Sequence, residues 1–139
     1  MLSTLQNILD VFTYVLAGIA GISLLVGGIG IMNIMLVSVH ERTREIGIRK
    51  AVGANKLVIL FQFVVEAITL SVTGGIVGII FGGLGIMVIR HFIPSLPLTM
   101  SLWTISLAFT FSAGVGIFFG VYPAYRAAEL DPIDALRYE

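Results

Sequence analysis

Three long stretches of this chain contain no Asp, Glu, Lys, Arg or His: Val11–Val39, Ala67–Ile89 and Phe92–Tyr125. A bilayer core is crossed by roughly 20 apolar residues in a helix, so each stretch is long enough to span. The rest of the composition agrees. Hydrophobic residues make up 58% and charged residues 12%, whereas a soluble globular domain carries about 25% charged residues. The reading is an all-α membrane protein with spans near 11–38, 57–89 and 102–125, joined by a charged loop over 40–56 and an external loop over 90–101. Residues 1–10 read as a short external leader and 126–139 as a tail. None of the stretches has the basic leader and short apolar core of a cleaved signal peptide. The first would be about 43 Å long as a helix, beyond a core of roughly 30 Å, so tilt or projection from the membrane is expected.

Orientation follows from the placement of basic residues. The first loop holds Arg42, Arg44, Arg49, Lys50 and Lys56, and the tail holds Arg126 and Arg137. The connection around Pro94 and Pro97 has only Arg90, and the leader has neither Lys nor Arg. A multi-pass protein with its N-terminus outside and both loop and tail inside is therefore expected. The eight basic and eight acidic residues cancel, so charge predicts no nucleic acid or other polyanionic partner. There is no cysteine, which excludes disulfides and thiolate metal sites. His40 and His91 fall on opposite sides of the membrane and cannot share a metal. No catalytic, cofactor-binding or metal-ligating set is read from the sequence.

Glycines recur every four residues on the second span (Gly74, Gly78, Gly82) and on the third (Gly116, Gly120). Stripes of this kind let helix backbones approach in lipid, and they read as helix packing within the subunit or across a dimer. General enrichment of glycine in membrane helices is the plainer reading.

The segment His40–Lys56 carries the most information. Glu45 and Arg49 are spaced i,i+4 in the favourable order for a helix. Ile48, Ala51 and Val52 fall on one side, opposite Arg42, Arg49 and Lys50. Gly47 weakens the middle by about 1 kcal/mol, Gly53 is placed to end the helix, and Asn55 to cap the next. The residues predict a short amphipathic helix along the inner face. It would serve either as a docking surface for a soluble partner or as an anchor for the anionic leaflet.

The run GGIGIMNIMLVSVHERTREIGIRKAVGA (Gly27–Ala54), continued through Phe63–Glu66 and again in YPAYRAAELDPIDALRYE (Tyr122–Glu139), resembles the permease domain of MacB-type ABC transporters, the FtsX-like permease group. The resemblance runs from about Val11 to the C-terminus. It implies that Glu41, Arg42, Arg44, Glu45, Ile46, Gly47, Ile48, Arg49, Lys50 and Gly53 belong to a coupling helix seated in an ATPase. ATP and Mg would be bound by that partner, and no cofactor by this chain. It also implies a homodimer or heterodimer with a second permease, a periplasmic adaptor as a further partner, and residence in a bacterial inner membrane. Such permeases have one more membrane helix and a large external domain ahead of these three helices, so the chain reads as a portion lacking both.

Single residues complete the reading. Glu66, the lone acid in an apolar run, reads as an inner-boundary residue paired with a loop or tail cation such as Lys56 or Arg126, with a proton relay as the alternative. Asn33 is expected to hydrogen-bond to another helix. Met32 and Met35 read as packing, and Trp103 and Tyr122 as interfacial anchors. Tyr122-Pro123 is expected to end or kink the third span. Asp131-Pro132-Ile133-Asp134 reads as the start of a short tail helix through Tyr138, lying beside the loop. The function expected is that of a non-catalytic permease component transmitting a partner's ATP hydrolysis mechanically to the export of drugs, peptides or lipoproteins. Two alternatives are a regulatory relay to external cell-wall hydrolases, as in the cell-division branch of the group, and a small ion-coupled carrier built on Glu66.

Overall fold

The computed structural model describes residues 2–96 and 98–136. Pro97, Arg137 and Tyr138, each named above, lie outside the described residues. The order of elements is α1 (Leu2–Glu41), α2 (Thr43–Ala51), α3 (Lys56–Phe92), α4 (Leu102–Glu129) and α5 (Pro132–Leu136). Three of them, α1, α3 and α4, are long and apolar enough to cross a membrane. The described residues hold no strand, and the all-α membrane fold expected from the charge-free stretches is the one formed.

α1 begins at Leu2 rather than near Val11. Leu5, Ile8, Leu9 and Phe12 continue the apolar helical spacing through the segment read as a leader, and no Gly or Pro interrupts it. At 1.5 Å per residue the 40 residues of α1 extend about 60 Å, roughly twice the hydrocarbon thickness.

The boundaries of the other spans have local causes. Asn55 caps α3 by accepting a hydrogen bond from the Leu57 N–H at 3.3 Å, and Ser101 caps α4 from Trp103 at 3.3 Å. α3 stops at Phe92 because Pro94 disfavours helical geometry at Ile93. Pro123, by contrast, does not end α4, which continues to Glu129. A helix-interior proline costs about 3 kcal/mol. Here the ring is fully buried, together with Ala124, Ala127 and Ala128 around it, and that packing holds the helix through the lost hydrogen bond.

α3 and α4 form the tightest seam, and it is built of small residues. Ala67, Ser71 and Gly75 on α3 meet Ser112, Gly116 and Gly120 on α4. A Cβ placed on Gly116 would lie 2.8 Å from Ser71 Cβ and 3.0 Å from the Ala67 carbonyl oxygen and the Ile68 Cα. One placed on Gly120 would collide with Ala67 Cβ. Ser71 and Ser112 exchange hydrogen bonds across the seam: the Ser112 hydroxyl donates to the Ser71 carbonyl at 2.6 Å, and the Ser71 hydroxyl donates to the Ser112 carbonyl. Close backbones with polar cross-links are how helices associate in lipid, where apolar burial supplies little drive.

α1 joins the pair through its C-terminal third, where Gly28 receives the ring of Phe119 and Met35 and Val39 are buried. Its preceding residues from Ser3 to Ser23 are exposed. The buried core lies at one end of the molecule, where Met35, Val39, Ile46, Ile59, Phe63, Ala67, Ala124, Ala127 and Ala128 cluster. That end carries α2 and α5.

Candidate docking surface at the charged end

α2 follows α1 with a single intervening residue. The Arg42 N–H donates to Ser38 O at 3.0 Å, and Ile46 N–H returns to Arg42 O at 3.0 Å. The Thr43 hydroxyl donates to Val39 O at 3.1 Å and His40 O at 2.8 Å. These bonds satisfy the last carbonyls of α1, so α2 leaves it through a short hydrogen-bonded joint. At its other end, Gly53 takes φ +106°, a left-handed conformation that costs other residues roughly 1–2 kcal/mol. Gly53 N–H bonds Lys50 O at 3.0 Å and Ala54 N–H bonds Arg49 O at 2.9 Å, closing α2 before the Asn55 cap of α3.

The face of α2 that packs inward is Thr43, Ile46 and Gly47, all buried. The expected apolar face of Ile48, Ala51 and Val52 instead points outward, with Ile48 47% and Val52 85% exposed. Both sets have helical spacing. The inward one wins because Thr43 and Gly47 are small enough for α2 to lie close against the bundle, with Ile46 inserted beside Ile59 and Phe63.

The charged residues separate into two groups. Arg42 extends to Glu66, with one guanidinium nitrogen 3.2 Å and 3.4 Å from the two carboxylate oxygens. Arg42 is thus the partner of Glu66, in place of the expected Lys56 or Arg126. It wins because the α1–α2 joint sets it beside α3, while Lys56 turns to Glu129 at 3.1 Å. Arg49 bridges Glu45 at 2.5 Å, the i,i+4 pair expected, and also reaches Gln62 at 2.6 Å. Lys50, expected on the outward polar side, turns inward and donates to Ala128 O at 2.5 Å and Leu130 O at 2.6 Å. Burial holds the Lys50 ammonium below the usual lysine range. Lys56 reinforces that shift, while Glu129 and Asp131 oppose it. Glu41 and Arg44 are exposed and make no ion pair with another described residue.

α5 packs against α2, with Ala135 buried. Asp131 caps it by accepting from the Ile133 N–H at 2.8 Å, and Ile133 itself is 68% exposed. The surface at this end therefore combines Glu41, Arg44, Ile48, Val52 and Ile133, over a buried underside of Thr43, Ile46 and Gly47.

The remaining residues read from the sequence fall elsewhere. Gly74, Gly78 and Gly82 do not meet another helix of the chain: a Cβ on any of them would find nothing within 4 Å. The packing glycine on α3 is Gly75, beside Ser112. Gly74 lines an open groove together with Gly21, Leu24 and Phe111. Asn33 is exposed on α1, with no hydrogen bond to another described residue, because the helix face it occupies is turned away from α3 and α4. Met35 is fully buried in the core, and Trp103 and Tyr122 are exposed. Among the described residues no group of His, Asp and Glu is placed to hold a metal.

The FtsX-like permease C-terminal family matches residues 17–132, which include α1 from residue 17 onward, all of α2, α3 and α4, and the first residue of α5. The chain belongs to that family. Among relatives of this permease domain, "Macrolide export ATP-binding/permease protein MacB" of Rhodopirellula baltica is 58% identical over 121 residues, 87% of this chain and 18% of that protein. The MacB protein of Bdellovibrio bacteriovorus is 51% identical over 135 residues, 97% of the chain and 21% of that protein. The Bacillus subtilis "Uncharacterized ABC transporter permease YknZ" is 52% identical over 129 residues, 93% of the chain and 32% of that protein. The chain thus spans between about a fifth and a third of the length of these relatives. The expected resemblance to MacB-type permeases holds, and three long apolar helices make the chain a membrane protein of the ABC transporter permease class.

The Arg42–Glu66 pair gives one testable expectation. Its side chains are 45% and 31% exposed, which limits its value to about 1 kcal/mol. Arg42→Glu places two carboxylates together and is expected to lower the melting midpoint of the chain in lipid nanodiscs. Combining it with Glu66→Arg should restore most of the loss. A double variant as unstable as the single one would show that the pair does not form.

Proposed function

We propose that this domain is the membrane-embedded, non-catalytic transmission part of a MacB-type ABC exporter. α2 acts as the coupling helix against an ATPase that binds the ATP and Mg. The carrying observation is the two-sided construction of α2: Thr43, Ile46 and Gly47 fix its underside, while Glu41, Arg44, Ile48 and Val52 stand outward. A helix serving only as a bilayer anchor would not need its buried face in its own bundle. Arg42, Arg44, Arg49, Lys50, Lys56 and Arg126 gather at this end and Arg90 at the other, so the α2 end is cytoplasmic in a bacterial inner membrane and the N-terminus external. The relatives' printed description as ATP-binding/permease proteins for macrolide export supports the pairing with an ATPase. A paired permease and a periplasmic adaptor complete the assembly, and movement of rigid spans, rather than a path between them, does the work of export.

The test is co-isolation. A tagged chain extracted from its native membranes should carry an ABC ATPase with it. Charge reversal at the exposed Glu41 or Arg44 (Glu41→Lys, Arg44→Glu) should reduce the ATPase recovered by about tenfold without lowering the amount of chain, as like charges meet across the interface. Undiminished recovery with both variants would refute docking through α2.

A further inference from the structure

α2 is tied covalently to two of the three spans. α1 runs into it through Arg42, and α3 leaves it through the Gly53 turn. α4 has no such tie, because its C-terminal end lies 78 to 80 residues further along the chain. Among the described residues, two polar links join this remote end to the α2–α3 corner. One is Lys56 to Glu129, whose side chains are 65% and 49% exposed, so solvent and salt screen it. The other is Lys50, part-buried, whose ammonium donates to Ala128 O and Leu130 O at 2.5 Å and 2.6 Å.

Those two carbonyls belong to the last turn of α4 and to its cap residue, Leu130. Carbonyls at a helix C-terminus lack the N–H partners of the helix interior, and the end carries partial negative charge, so a cation there both satisfies and neutralises them. The bonds are charge-assisted, short and part-buried, so solvent and salt screen them less than the exposed pair beside them. They also act where α4 gives way to α5, the helix that packs on α2.

We propose that Lys50 is the positioning residue that carries movement of α2 to α4, a latch between the docking helix and the one span to which it has no adjacent covalent connection. The role rests on the reading of α2 as a coupling helix. With Lys50 in place, α2, the end of α4 and α5 move as one piece. Without it, displacement of α2 reaches α1 and α3 through the chain and reaches the end of α4 only indirectly, through the α3–α4 seam and the packing of α5 on α2.

The chain contains no cysteine, so a reporter pair can be introduced at Lys56→Cys and Glu129→Cys, which also removes the exposed bridge. The rate at which a short bis-maleimide joins the two thiols in native membranes then reads the closeness of the α4 end to the α2–α3 corner, where Lys56 opens α3. Lys50→Met is expected to slow that rate roughly tenfold, the size of effect that losing a charge-assisted pair supports, and Lys50→Arg to restore it. A Lys50→Met rate equal to that of the reporter chain with Lys50 intact overturns the latch. If the methionine variant does not accumulate, Lys50→Gln is read in its place under the same criterion. In membranes that hold the ATPase, Mg-ATP should change the rate for the reporter chain with Lys50 intact and for Lys50→Arg, and by less for Lys50→Met, with equal ATPase co-isolated. A nucleotide response of full size in Lys50→Met overturns the transmitting role. Failure of the unmodified chain to retain any ATPase, with the rate still dependent on Lys50, would remove the coupling reading and leave the latch standing.

Discussion

Gly116→Leu is expected to separate α3 from α4 and to prevent accumulation of the folded chain in the membrane. The first added carbon would already lie 2.8 Å from Ser71 Cβ and 3.0 Å from two backbone atoms of α3, the Ala67 oxygen and Ile68 Cα. Backbone cannot rotate away as a flexible side chain does, so the helices must part. Parting also breaks the exchange between Ser71 and Ser112, one helical turn away. Overpacking costs about 1–3 kcal/mol, and each interhelical hydrogen bond in lipid adds about 0.6 kcal/mol and up to about 1.7. Together, a loss of about 3–5 kcal/mol is expected, a large part of the stability of a small domain. Gly78→Leu makes the control, because its Cβ meets nothing within 4 Å, and it should melt with the unmodified chain in mixed micelles. Equal melting of Gly116→Leu would show that this seam does not form. Normal melting of Gly78→Leu with weakened self-association would place the Gly74–Gly82 stripe at a contact between copies of the protein.

Much of this architecture is legible in the sequence because lipid imposes a coarse rule. A span long enough to cross must lack charge, and three such stretches stand out. The seam within the bundle is less legible because glycine alone does not mark close packing. On α3 the small residues that pack are Ala67, Ser71 and Gly75, at the same four-residue spacing as Gly74, Gly78 and Gly82 but one face around. Counting Ala and Ser with Gly exposes this second ladder, and its counterpart Ser112, Gly116, Gly120 and Ala124 on α4. Which ladder meets the neighbour depends on the facing helix, and that is tertiary information. Pro123 shows the same limit from the other side, since the local preference to end a helix yields to burial of the ring. At the charged end, the helix, its Gly53 stop and the Asn55 and Asp131 caps are readable, because each depends on nearby backbone geometry. The partners of Glu66 and Lys50 are not, because they lie 24 and about 80 residues away in sequence.

The reversal of the two faces of α2 produces the sharpest separation between folding and docking. Ile46 is 2% exposed and sits against Ile59 and Phe63, whereas Ile48, two residues further on, is 47% exposed. Ile46→Asp removes a buried branched side chain and puts a carboxylate in a site lined by apolar side chains. Losing the apolar contacts alone costs about 2–5 kcal/mol by comparison with truncation to alanine, and an unpaired buried carboxylate adds several more or takes up a proton. α2 should detach from the bundle, and protease cleavage in the Glu41–Ala54 segment should become rapid in membranes held with the α2 end accessible. Ile48→Asp exposes its carboxylate to solvent and should leave both melting and protease resistance within about 0.5 kcal/mol of the unmodified chain. Under the docking proposal it nevertheless loses the ATPase, since a charge then replaces an apolar contact at the interface. Three readouts on two neighbouring residues thus give opposite patterns: a broken underside with Ile46→Asp, and an intact fold with a lost partner for Ile48→Asp. Protease sensitivity equal in both variants would contradict the two-sided structure of α2. An Ile48→Asp chain that still binds the ATPase at full level would confine the role of α2 to holding the spans together.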